Sequence, residues 1–150
     1  MTLAQTLNGG LKLIPEERQD WLILLEIAAD ASEDLAREFG ELMDEDSMWD
    51  EIVVPELEAE FSVQRKHVLK VVKKAQRAEK KEIVIAPKDA DLWYGALNQA
   101  RLSLEAEFKF GSREFTEREE IQDAAMRSAF LRDEFYLTLQ SLILRYVSTD

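Results

Sequence analysis

The chain contains no cysteine, which excludes disulfides, thiolate catalysis and cysteine-ligated metals. Its one histidine, His67, rules out two-histidine metal motifs and the Glu-x-x-His pairs of ferritin-like dimetal centres. The five glycines are too scattered to form a phosphate-cradling G-x-G-x-x-G or G-x-x-x-x-G-K-[ST] loop. No serine sits in a G-x-S-x-G elbow. Long apolar runs are also missing. The most apolar stretches, 21–29 and 135–147, are short or carry charges, below the roughly 20 residues a bilayer span needs. The opening MTLAQTLNGGLKLIPEE lacks a basic region followed by an apolar run, so a cytoplasmic protein is expected. Positive charge is scarce, with 19 Lys and Arg against 31 Asp and Glu, net −12. That balance repels a polyanion except where a local basic surface faces it, so nucleic acid is an unfavoured partner.

What is present suits one folded domain over 1–150. Hydrophobic residues make up 46% and charged residues 33%, a composition that can bury a core. The expectation is a mainly α fold, a bundle of about five helices with two short paired strands at about 11–14 and 82–86. Residues 1–10 are expected to be loose, ending in Gly9-Gly10. Residues 11–14 alternate and stop at Pro15, where a helix over 16–42 can begin, with a break near 30–34. Residues 41–50 form an acidic connector. Ser47 can cap a short helix to about 60 that Pro55 divides, and Phe61-Ser62 marks a joint. A helix follows over 63–81 with Val68, Val71, Val72 and Ala75 on its apolar face. Another spans 88–110, with Gly111-Ser112 as its stop. The last starts after Thr116, whose T-x-x-E pattern with Glu119 suits a capping box, and carries Leu131, Phe135, Leu139, Leu142 and Tyr146 at helical spacing. Leu11-x-Leu13-x-Pro15 precedes Trp21 as Ile83-x-Ile85-x-Pro87 precedes Trp93. This echo reads as two strands that pair and lay their tryptophan helices side by side.

Two residue groups are candidates for function; no catalytic set, metal site or cofactor is expected. The first is a charge pattern. Residues 41–60 hold nine acidic residues and no basic ones, whereas 64–81 hold eight basic and one acidic, leaving that segment at +7 and the rest of the chain at −19. Lys66, Lys70, Lys73, Arg77 and Lys80 recur every three or four residues opposite the valines, and Lys74 and Lys81 broaden the stripe. It reads as a solvated helix face balanced by nearby acids, as a dock for an acidic protein partner, or as a contact for nucleic acid. Its match to the acidic segment would also permit a homodimer. Trp49, among acidic residues, packs against the helix joint or serves as an exposed anchor. The second group is a polar network around Arg101, which lies beside the inward positions Leu97, Leu104 and Phe108. Its guanidinium needs a partner. Glu26 and Glu134 are candidates, and Asn98 and Gln140 can extend the network. It fixes helix register, or it contacts a small ligand or substrate. His67 reads as a partly buried or surface residue, with a general base or metal ligand as the alternative. Glu105 and Glu107, with Glu26 and Glu134, read as solvated or ion-paired carboxylates, with metal binding or acid–base use as the alternative.

Four stretches, 54–61 (VPELEAEF), 92–102 (LWYGALNQARL), 104–108 (LEAEF) and 136–144 (YLTLQSLIL), resemble a bacterial domain family of unknown function, number 2017. The resemblance runs from about residue 11 to 147. In that family the middle-helix pattern is Trp, Leu-Asn, Arg-Leu, matched here by Trp93, Leu97, Asn98, Arg101 and Leu102; the glutamine of the last-helix pattern falls on Gln140. It implies a compact helical protein with no assigned activity. Actinobacterial members are often encoded beside a protease adaptor, which implies a link to protein quality control. The basic 64–81 helix departs from the usual member.

Overall fold

A computed structural model describes residues 1–42, 49–112 and 123–147. Three strands, β1 (Thr2–Gln5), β2 (Leu11–Ile14) and β3 (Ile83–Ile85), form an antiparallel sheet in the order β1-β2-β3. Five α-helices are described: α1 (Arg18–Asp30), α2 (Leu35–Leu42), α3 (Val54–Arg77), α4 (Ala90–Phe108) and α5 (Ala124–Tyr146). No described helix is long and apolar enough to cross a membrane.

The expected strand pair forms, with Leu11 opposite Ile85 and Leu13 opposite Ile83. Alternation puts these four side chains on one face, all buried, while Lys12 and Val84 turn outward. The two strand-proline-helix units match in spacing, since α1 and α4 each begin three residues after their proline. Their helices pack together as expected. The tryptophans are not equivalent: Trp93 is fully buried and Trp21 half-buried.

Residues 1–10 depart from expectation. Instead of being loose, they supply β1, which pairs with β2 from Thr2 opposite Ile14 to Gln5 opposite Leu11. The hairpin turns at Leu7 and Asn8, closed by the Gly9 N–H donating to the Thr6 carbonyl at 3.2 Å, and Gly9-Gly10 leads the chain back into β2. Gly9 has φ 83°, and a Cβ on Gly10 would lie 2.7 Å from the Ile85 carbonyl oxygen. Thr6 completes the turn by accepting the Gly10 N–H on its hydroxyl at 2.9 Å.

The helices also correct two joints. The long first helix breaks at 31–34, where weak periodicity predicted it. Between 54 and 77, however, the chain forms one helix. Pro55 sits in its first turn, where a missing N–H costs no hydrogen bond, so it starts α3 and does not divide a helix. Phe61 and Ser62 are ordinary helical positions inside it. A π-helical turn over Trp49–Val53 leads in, and the helix stops at Arg77, short of the expected residue 81. α4 ends at Phe108 because Lys109 takes a left-handed conformation, φ 52°, two residues ahead of the expected glycine stop. Ser47 and the Thr116–Glu119 pattern lie outside the described residues, and Asp123 caps α5 through the Ala125 N–H at 2.8 Å.

α4 is the central helix, touching α1, α3 and α5. Small side chains (Ala90, Ala96, Ala100) alternate with Trp93, Leu97 and Leu104 on its buried surface, letting three neighbours approach. On α5 the buried stripe is Met126, Ala129, Tyr136, Leu139, Gln140 and Ile143. The expected stripe was rotated from this, since Leu131 and Tyr146 are 50% and 36% exposed.

Candidate interaction surface

The basic stripe is formed by one continuous helix whose inner face, Val68, Val72 and Ala75, is buried. That burial fixes the helix rotation and aims Lys66, Lys70, Lys73, Lys74 and Arg77 into solvent. Lys80 and Lys81 are exposed in the bend that follows. Among the described residues, no ion pair engages any of these seven cations. Lys12 shows what a paired lysine looks like here: its Nζ lies 3.0 Å from Glu82.

Arg65 is set apart from the stripe. It turns toward α4 and donates to Gln99 Oε1 at 3.1 Å. Gln99 is buried, and its amide in turn donates to the Phe61 carbonyl at 3.1 Å and to Gln64 Oε1 at 2.7 Å. This cluster pins the middle of α3 to α4. Gly95 makes room for it, because a Cβ there would fall 2.3 Å from the Gln64 amide. Arg65 and Lys66 also border an open hollow of about 620 Å³ shared with Arg37, Glu33, Asp34 and Glu58. The stripe's remaining cations lie beyond it. Trp49 begins the π-helical turn before α3; its side chain lies outside the described residues.

The polar network around Arg101 exists with a different carboxylate, Asp133. Arg101 Nε meets Asp133 Oδ1 at 3.2 Å, and its Nη1 donates to Gln140 Oε1 at 3.0 Å. Gln140 is 2% exposed, and its amide reaches the Tyr94 carbonyl at 3.4 Å. Asp133 and Gln140 are two turns apart on α5 and share a face, which Glu134 leaves by about 100° of helix rotation. Glu26 and Asn98 are exposed, so neither extends the network. Burial holds the Asp133 carboxyl above its usual range, opposed by the adjacent Arg101.

A second cluster was missed in the sequence. Asp30, at the end of α1, accepts three hydrogen bonds from α5: from Arg132 Nε at 2.8 Å and Nη2 at 3.1 Å, and from the Tyr136 hydroxyl at 2.6 Å. Arg132 Nη1 also donates to Ser128 at 2.7 Å. The hydrogen bond to Asp30 raises the Arg132 proton affinity. Burial, then the Asp30 charge, pushes the Tyr136 phenol far above its usual range. The detectable signal was Arg132 and Tyr136, four apart on one helix face. Both clusters consist of paired groups that tie α5 to α1 and α4. His67 is half-buried with an unpartnered Nε2, and the described residues contain no group of three or more His, Asp or Glu side chains arranged to hold a metal ion.

No curated protein and no solved structure matches the chain. The model of one protein family, described as a domain of unknown function (DUF2017), matches residues 15–146, so the chain belongs to that family.

Proposed function

We propose that the protein is an interaction domain whose α3 basic face docks an acidic protein partner. One observation carries the reading: seven exposed cations on and just after α3 have no ion pair among the described residues. In a chain of net charge −12, such a face would steer an acidic surface to one place and one orientation. The polar clusters around Arg101 and Asp30 belong to the scaffold, because their charges are matched between helices. Reversing Lys70, Lys73 and Arg77 together to glutamate tests the reading. Pull-down from lysate by the full chain should recover a specific acidic protein, and the triple variant should lose it while keeping its helical circular dichroism. Retention of every partner by the folded variant would refute the basic-face reading. Preferential, salt-labile recovery of nucleic acid would replace it with a nucleic-acid role.

A further inference from the structure

The continuity of α3 has an electrostatic consequence. The helix spans 24 residues, about 36 Å. Glu56 and Glu60 are exposed on its first half, and Lys66, Lys70, Lys73, Lys74 and Arg77 on its second. An acid and a base three or four residues apart would pair along a helix, yet α3 contains no such couple. It instead stacks like on like: Glu56 with Glu60, Lys66 with Lys70, Lys70 with Lys74, Lys73 with Arg77. The helix dipole favours acids in the first turn and bases in the last, which covers Glu56, Lys74 and Arg77. It does not reach Glu60, Lys66 or Lys70.

The exposed residues Glu56, Glu60, Val63, Lys70, Lys74 and Arg77 fall on one seam, alternating steps of four and three once half-buried His67 is included. Val63, at the centre, is 57% exposed. We infer that this seam pairs with the same seam of a second copy, antiparallel, about a two-fold axis at the level of residue 65. Glu56 then faces Lys74 of the partner subunit, and Glu60 faces Lys70 of the partner subunit. Symmetry repeats both couples, while Val63 and His67 meet near the axis. A parallel arrangement puts Glu56 on Glu56 and Lys70 on Lys70, so repulsion selects the antiparallel one. The seam is narrow and charged, so the dimer is reversible and salt-sensitive. This inference rests on the docking reading of the basic face and names a second copy as an acidic surface that fits it.

Sedimentation velocity of the full chain tests it. The wild type should form a dimer that grows with concentration and dissociates between about 0.1 and 1 M salt, as the screening length falls from about 10 to 3 Å. E56K/E60K and K70E/K74E should each weaken self-association at least about tenfold. Mixing these two folded variants should restore a dimer, because positions 56, 60, 70 and 74 are then all basic on one seam and all acidic on the other. A wild type that stays monomeric at low salt, a dimer indifferent to both double variants, or variants that fail to join on mixing overturns the inference. E56K/E60K keeps the whole basic face. If it still captures the acidic partner, the docking reading stands on its own; if the wild type captures none, that reading falls even where the dimer forms.

Discussion

The cations of this protein live in two different settings. On the inner side of α5, Arg132 is 22% exposed and shares Asp30 with Tyr136, and Arg101 meets Asp133 and Gln140. On the outer side of α3, cations of the same chemical kind stand in solvent beside one another. Desolvation explains the difference. A charge leaving water must find a partner in the fold, whereas a hydrated lysine can wait for one. Inner charges therefore specify how helices pack, and outer charges are free to specify what the folded domain meets.

Breaking the inner setting should have the largest effect. Arg132→Met leaves the Asp30 carboxylate, 9% exposed, without its cation, and should cost about 3 kcal/mol in urea unfolding. A loss below about 1 kcal/mol would show that this pair does not hold α1 to α5. Tyr136→Phe removes one donor from Asp30 and should cost about 1.5 kcal/mol. Its signature lies at high pH. The unfolded phenol ionises near pH 10, while the folded one stays protonated well above that, so unfolding releases a proton. Wild-type stability should then fall by about 1.4 kcal/mol per pH unit above pH 10 from this residue alone, and the variant should lack that part of the slope. Equal slopes for both proteins would contradict the protected phenol. Arg101→Met should cost less, about 1 kcal/mol, because Asp133 and Arg101 keep 20% and 30% exposure. Asp133 can also take up a proton once its cation is gone. The smallest effect should come from the outer setting: reversing Lys70, Lys73 and Arg77 should barely move the thermal midpoint, since each faces water. A drop of many degrees would mean that the basic face supports the fold.

Strong local patterns were legible in the sequence. Alternation over 11–14 and 83–85, the matched prolines and the valine face of α3 each depend on one element and its period. What escaped depended on partners. β1 has four exposed residues, so no apolar alternation announces it; it forms because the turn at Leu7 and Asn8 closes a hairpin onto β2. Pro55 and Ser62 suggest breaks when read alone, yet the first occupies a helix start and the second is carried by flanking packing. α5 packs chiefly on α4, so its buried stripe is narrow, and its surplus leucines mimic a wider one rotated from it. The Arg101 network was legible in its arginine and glutamine. Its carboxylate depended on the phase of α5, which a one-residue choice between Asp133 and Glu134 overturns.

The Gln99 pin sits where α3 changes sign, holding Phe61, Gln64 and Arg65. It fixes the rotation of one half against the other. One residue inserted before Phe61 would turn the acidic half by about 100° and leave the basic half seated on α4. Val54 before the pin and Val68 after it are both buried, so such an insertion would cost core packing as well as the alignment of the two charges.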